Sequence, residues 1–442
     1  MYALHCMPVL SCLSSYSLLY QFQRPMTMRI PPKIANPRYD EPLCSRCGLC
    51  MGNAWPEKES LQSCVFNTGW LGVHEEKLFG RKRDPADPDE LAFGITRSRF
   101  NARMKQPIDG AQWGGIITRI ALRAFETGLV DGVITLHGTH LKPKAVLATS
   151  VTEILESRGN KPVLSPTLVA LHTAWSKGVR RLLVIGASCH IHAIRDFQAR
   201  HPYLSDTEIH VVGIPCTDNV EPAHMRYVLN HISRHPETVV SLEFMQDYRV
   251  HIKHTESKTE KIPYFCLPPA VLKPGVFSNS CMSCFDYLNS LSDITVGYFG
   301  APFSSDWKLQ WLLVRTEKGE KLFDLIRNEV DVSPEEGRGN AIPSVQASIP
   351  TTAAPIFDPG VLEKRKSMPK PLGELMCLLQ SVRGPRGIEF ARYSVHIHAI
   401  RNYLFVKHRM PERFKTLVPD HIISLVKSYD LGDFNDAKAY KP

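Results

Sequence analysis

The chain has 442 residues, 43% hydrophobic and 22% charged, with 53 Lys and Arg against 44 Asp and Glu for a formal net charge of +9. That balance excludes a disordered polyelectrolyte, and without a run of 18 or more apolar residues no transmembrane helix is expected. Twelve cysteines are too few and too widely spread for a disulfide scaffold, and the excess positive charge suits a small acidic electron carrier better than nucleic acid, since no basic run is interleaved with aromatics.

Residues 1–36 hold no acidic residue and several serines, the composition of an N-terminal extension that is disordered or transit-like, with Met26 or Met28 as an alternative start. Residues 37–107 form a second unit. It opens on Cys44-Ser45-Arg46-Cys47-Gly48-Leu49-Cys50, a tight triple spacing that wraps three corners of an iron–sulfur cube, whereas zinc sites use paired hooks. The usual fourth cysteine is replaced by Ala54, so the fourth ligand lies elsewhere and Cys64 is the nearest candidate. A charged, Pro-containing linker, Arg81 to Asp89, follows.

Residues 108–330 alternate strand and helix patterns. Ile108 to Gly115 is a glycine-rich opening into a helix carrying Ile116, Ile117, Ile120, Ala124 and Phe125; it suits a phosphate or, equally, a tight turn. Strands at 133–136, 181–186 and 208–213 and helices at 191–200 and 221–233 predict an α/β core with a largely parallel sheet, to which 239–245 and 248–254 add antiparallel strands. Cys189 and Cys216 each follow a strand, at the sheet edge where open α/β folds bind ligands. With Cys281-Met282-Ser283-Cys284 they can converge on one four-thiolate site, suited to zinc or to an iron–sulfur cluster. No G-x-G-x-x-G or Walker loop follows a strand, so any flavin site is of non-Rossmann type.

The titratable groups beside these cysteines are His190, Asp218, Asp286 and Tyr287. His190 and Asp286 are the proton-donor candidates, each against a structural alternative. His192, His396 and His398 are expected to pack or face solvent, and Cys6, Cys12, Cys266 and Cys377 to be inert thiols. Residues 331–442 form a C-terminal extension, Pro- and Ser-rich at first and helical again around 372–382.

Taken together, Cys44 to Cys50, Asp109-Gly110-Ala111-Gln112-Trp113, Lys161-Pro162-Val163-Leu164-Ser165-Pro166, Glu243-Phe244-Met245-Gln246-Asp247-Tyr248, Ser280 to Tyr287 and Gly387 to Tyr393 resemble the deazaflavin-linked hydrogenase/dehydrogenase beta-subunit family. Within it the chain is similar, from about residue 38 to 410, to the branch of ferredoxin-dependent chlorophyll-pigment reductases. The resemblance implies an α/β (α+β) flavoprotein core with an N-terminal ferredoxin-like iron–sulfur segment, one FAD, two 4Fe–4S clusters and ferredoxin as electron donor. It assigns Cys44, Cys47, Cys50 and Cys64 to one cluster and Cys189, Cys216, Cys281 and Cys284 to the other, and places Gln112, Trp113, Ser165, Gln246 and Asp247 beside FAD. It further implies reduction of the 8-vinyl group of divinyl (proto)chlorophyllide, in the cytoplasm of a photosynthetic bacterium or the plastid stroma. Reduction of 7-hydroxymethyl chlorophyll a, an electron-transfer subunit without its own substrate, and a zinc-stabilised binding protein are the alternatives. The chain departs from the branch at Met51 to Pro56 and at His190, both next to expected cluster ligands.

Overall fold

A computed structural model describes residues 43–435 except 257, 274 and 304–307; the expected N-terminal extension, with Cys6 and Cys12, lies outside the described residues. The core is an eight-stranded sheet. Its members in chain order are β1 (Ser98–Met104), β2 (Gly132–Thr139), β3 (Lys142–Ala148), β4 (Arg181–Gly186), β5 (Glu208–Gly213), β9 (Ile294–Gly297), β10 (Gln310–Val314) and β11 (Val330–Ser333). Their spatial order is β11-β1-β10-β9-β5-β4-β2-β3. Between β5 and β9 in the chain, β6 (Val239–Phe244), β7 (Arg249–His254) and β8 (Thr259–Pro263) form a separate three-stranded antiparallel sheet.

The centre of the large sheet is parallel, as the sequence suggests: β2, β4, β5 and β9 run the same way. Its strands are apolar on both faces because helices cover both. Leu182 and Val184 of β4 enter one core layer, while Leu183 enters the other with Ile116, Ile120 and Ala124 of helix α1 (Ile116–Glu126). Helices α2 (Val169–Ser176), α3 (Ser188–Arg200) and α4 (Pro222–Ile232) supply the opposite layer.

Two expectations need correction. The sheet is mixed rather than largely parallel: β3 folds back on β2, and β10, β1 and β11 extend the other edge antiparallel. β2 carries Gly138 at φ 82° just before its turn into β3, and β3 begins Lys-Pro-Lys, whose proline and charges suit an edge strand and hide it from a hydrophobic pattern. The Pro- and Ser-rich stretch after residue 331 is largely helix α5 (Ala341–Phe357), with Pro350 and Pro355 inside it. Ala341, Val345, Ile349, Ala353 and Ile356 form a buried stripe along helix α7 (Ile388–Arg409), and that burial outweighs the two lost backbone bonds. Ser348 and Thr352 fold their hydroxyls back onto carbonyls one turn earlier, at 2.8 and 2.7 Å. Between α5 and α7 lies α6 (Lys370–Arg383).

One buried cation ties the segment before β1 to the sheet. Arg315, 1% exposed, donates to Thr295 Oγ1 (3.1 Å) and to the carbonyls of Phe93, Ile95 and Leu288 at 3.0, 3.0 and 3.1 Å; burial holds its pKa down to about 10. Arg315→Met strands these acceptors without a donor and should cost about 3–5 kcal/mol of stability in a denaturant titration. A loss below about 1 kcal/mol would show that the carbonyls find other donors.

Candidate functional site

The Cys44–Cys50 loop turns through Arg46 and Gly48 at φ 55° and 95°. Gly48 is required: a Cβ there would lie 2.7 Å from the Pro166 carbonyl oxygen. The loop is pinned to the residues leading into α2, where Leu168 N–H donates to Cys47 O (2.8 Å) and His172 bridges Leu49 O (2.7 Å) and Ala54 N–H (3.1 Å). Arg46 N–H points at Cys44 Sγ, 3.3 Å away. Cys64 precedes the short helix Val65–Thr68, and nearby Trp70 donates its indole N–H to Ser283 O at 3.0 Å. That bond joins the first cysteine group to the second.

Cys189 sits in the first turn of α3, just past β4, and Cys216 follows β5. Cys281 and Cys284 flank a single 3₁₀ turn, Cys281–Ser283. Helix α7 holds that turn: Asn402 Nδ2 donates to Cys281 O (2.9 Å) and Cys284 O (2.6 Å), and Arg401 pairs bidentately with Asp218 at 2.8 Å on both oxygens. Asn219 aims its backbone N–H at Cys281 Sγ (3.3 Å) and its amide at Cys216 Sγ (3.4 Å). Sulfur-directed N–H groups of this kind stabilise thiolates.

The fold brings all eight cysteines into one region, and Cys189 stands between the groups. Its charge bears on Cys47 and Cys64 on one side and on Cys216, Cys281 and Cys284 on the other. None of the eight is in a disulfide. Burial, reinforced by neighbouring sulfurs, pushes Cys64 and Cys189 up to about 11 and Cys281 to about 12, and raises Cys47, Cys216 and Cys284 well above the usual range. Such sulfurs need a cationic centre to become thiolates. Among the described residues no group of three or more His, Cys, Asp or Glu is placed to hold a single metal ion. One zinc ion would draw four sulfurs to about 3.8 Å from one another, whereas a four-iron cube puts each thiolate on its own metal.

Beside the cysteines a cavity of about 300 Å³ opens at the carboxyl ends of β2, β4, β5 and β9. Gln112, Trp113, Ser165 and His190 of the expected site line it, and so does Cys216. Trp113 holds φ 54° ahead of Gly114 and Gly115 at 83° and 92°, a left-handed turn that sets the N-terminus of α1 at the cavity wall. Its indole stacks on Tyr298 with centroids 4.4 Å apart and planes 10° from parallel. Lys161 and Arg158 also line the cavity; Lys161 donates to the carbonyls of Ser157 (2.9 Å), Arg158 (3.1 Å) and Gly159 (3.3 Å), and burial lowers its pKa to about 8.

Other expected residues stand differently. Gln246 is outside the cavity lining; its amide donates to the carbonyls of Tyr298, Phe299 and Ala301 at 2.9–3.0 Å and accepts from Gly387 N–H. Asp247 accepts from His251 (2.9 Å) and the Arg249 backbone (3.2 Å). Both brace the wall rather than face the space. Asp286 is also outside the lining. Burial alone would raise its pKa, but His192 Nε2 at 3.0 Å and Ser290 N–H and hydroxyl hold it below the usual value. His190 lines the cavity, and burial pulls its pKa down to about 4 against a hydrogen bond with the Ser165 backbone, so it is neutral at pH 7. His192, His396 and His398 are all buried, and Cys377 donates to Tyr248 O at 3.3 Å.

Sequence reasoning did not single out Glu243, Tyr298, Lys161 or Gln310 of the lining. Glu243 stood inside a quoted motif; burial raises its pKa against hydrogen bonds with the Gln112 and Trp113 side chains. Tyr298 follows β9, a strand too short for its pattern to announce.

A chain with this arrangement has known relatives. Residues 99–172 match the N-terminal and 179–337 the C-terminal family model of the coenzyme F420 hydrogenase/dehydrogenase beta subunit. An uncharacterised protein of Nostoc sp. is 41% identical over 88% of this chain and 94% of its own length. The chloroplastic 7-hydroxymethyl chlorophyll a reductase of Oryza sativa is 36% identical over 95% of this chain and 89% of its own. A chain of the F420-reducing [NiFe] hydrogenase complex from Methanosarcina barkeri shares the fold, with TM-score 0.51 and 22% identity over 64% of this chain and 98% of that one. Relatives of named activity are oxidoreductases, and the chain belongs to the coenzyme F420 hydrogenase/dehydrogenase beta-subunit family.

Proposed function

We propose that this chain is an iron–sulfur flavoprotein that reduces a chlorophyll-type tetrapyrrole with electrons from ferredoxin. The observation that carries the reading is the likeness to 7-hydroxymethyl chlorophyll a reductase over 95% of the chain. That likeness favours conversion of a ring 7-hydroxymethyl to a methyl, which takes two electrons and two protons and releases water. The 8-vinyl reduction expected from the sequence also needs two electrons and two protons and is the second arm of the test. Bound FAD would supply the two-electron hydride chemistry, and two 4Fe–4S clusters the one-electron supply to it.

The protein's own residues set the conditions. Eight partly buried cysteines, with N–H groups from Arg46 and Asn219 directed at three of the sulfurs, form donor sets suited to clusters. The cavity, at the small end for ligand sites, suits a flat ring system against the Trp113–Tyr298 stack. The α1 N-terminus with Lys161 and Arg158 suits the phosphates of a dinucleotide. Glu243, whose pKa burial raises, would hold a proton at the wall more readily than an ordinary carboxylate, whereas His192 and Ser290 favour the carboxylate of Asp286 elsewhere.

With anaerobically purified protein, about eight iron, eight sulfide and one FAD per chain are expected. Cys281→Ser should lose one cluster signal, Cys189→Ser should disturb both, and Cys266→Ser should change neither. Zinc in place of iron would overturn the assignment.

Supplied with reduced ferredoxin, the protein should consume 7-hydroxymethyl chlorophyll a. Turnover of divinyl pigment alone, seen as a blue shift of its Soret band, would move the site to the 8-vinyl group; turnover of neither would overturn the substrate class.

If Glu243 supplies a proton, turnover should fall as pH rises through its raised pKa, because only the protonated carboxyl donates. Glu243→Gln should lower kcat about 10²-fold and remove that alkaline limb with FAD still bound. An unchanged pH profile would sink this role.

A further inference from the structure

Helix α6, 14 residues and about 21 Å long, turns an apolar face outward. Leu372, Leu375, Leu378, Leu379 and Val382 recur at 3–4 spacing and are each 42–65% exposed. The opposite face is the one that packs. Gly373 leaves no room for a Cβ against Cys266 and Pro263, Cys377 is buried on Tyr248 O, and Glu374 pairs with Arg249 at 3.0 Å. The usual amphipathic order, apolar inward and polar outward, is thus absent: from Leu372 to Val382 the outward arc carries no charged side chain. A contiguous aliphatic stripe of this kind marks a contact surface.

Cations stand at both ends of the stripe. Lys364, Lys366 and Lys370 are exposed at its start, and Arg383 at its end. Arg338, also exposed, and Arg386 reach the same end, donating to Ser381 O at 3.2 and 3.0 Å. Against them stands the exposed Glu363, while Glu374 is already neutralised by Arg249. Aliphatic side chains between terminal lysines and arginines suit a helix lying in a bilayer interface, with the chains among acyl groups and the cations at anionic headgroups. No helix among the described residues is long and apolar enough to cross a membrane, which leaves surface attachment. Attachment here would bear on the cavity, because the chain passes from α6 through Arg386, which donates to Gln246 O at 2.9 Å, into Phe390 and Ser394 of the lining.

We propose that α6 docks the protein on an anionic lipid surface, with Leu372, Leu375, Leu379 and Val382 inserted and the flanking cations on the headgroups. The inference stands on the exposed face and its charges and does not depend on the substrate.

Flotation of the full chain with phosphatidylcholine vesicles, with and without about 30 mol% phosphatidylglycerol, tests it. The protein should rise with the anionic vesicles and bind neutral ones at least about tenfold more weakly. Leu375→Gln with Leu379→Gln should cut binding at least about tenfold while leaving the thermal transition in place, since both side chains are exposed. Lys364→Glu with Lys366→Glu and Lys370→Glu should remove the preference for anionic lipid. Wild-type protein that stays below the anionic vesicles, or a leucine variant that floats as well as wild type, overturns the proposal. If sedimentation then shows an oligomer that the leucine variant dissociates, the face belongs to a second copy of the chain instead.

Discussion

The grip of α7 on the Cys281–Cys284 turn is the constraint from which the site follows. A single 3₁₀ turn pairs Cys281 O with Cys284 N–H at 3.2 Å, and the Asn402 amide supplies one donor group for both Cys281 O and Cys284 O. One residue earlier, Arg401 clamps Asp218, which lies two residues beyond Cys216. A helix from the far end of the chain thereby sets two loops in register with the carboxyl edge of the sheet. The Trp70 bond to Ser283 O carries the same register to the N-terminal cysteines. Loss of the Asn402 amide would take that donor from Cys284 O, a penalty of about 1–3 kcal/mol where the carbonyl is buried, and leave Cys281 O to the turn's own N–H.

Gathering the sulfurs in one region opposes the ionisation of Cys47, Cys64, Cys189, Cys216, Cys281 and Cys284, and the fold answers with N–H groups directed at sulfur. The Arg401 guanidinium, which acts on Cys281, is already committed to Asp218, whose charge raises Cys281 further, and that of Arg46 in the Cys44–Cys50 loop pairs with Glu221. A protein-only solution would leave these groups as neutral thiols. On the proposed function the compensating charge arrives with a cluster, and cofactor loading and local order would be coupled here.

Much of this was legible in the sequence because it rests on local pattern. The cysteine spacings, β4 and β5 with Cys189 and Cys216 at their ends, and the Ile108–Gly115 turn into a helix all stand where the residues put them. What the sequence hid was long-range. The edge strand β3 shows no alternation, and α5 looks like a proline-rich linker until α7 covers its apolar stripe. Gln246 and Asp247 belong to a motif beside the cavity, but their side chains are spent on carbonyls and on His251, which only the packed structure reveals. Tyr298 is the converse: an ordinary residue after a four-residue strand, it becomes a cavity wall by stacking on Trp113.

Two buried carboxyl groups are pushed in opposite directions by their surroundings. Asp286 sits next to the sulfurs, where its backbone N–H favours the Cys284 thiolate and its side chain collects His192 and Ser290. Giving up that anion would release three hydrogen bonds and unsettle the turn, so Asp286 serves position better than proton transfer. Glu243 has only neutral hydrogen-bond partners in Gln112 and Trp113, with the charges of Lys253 and His251 acting without a direct bond, and burial prevails. On the proposed function, a carboxyl with a raised pKa at a cavity wall, apart from the sulfurs, would exchange its proton without disturbing the cysteine loops. Electron supply and proton supply would then meet at one cavity while resting on different parts of the fold.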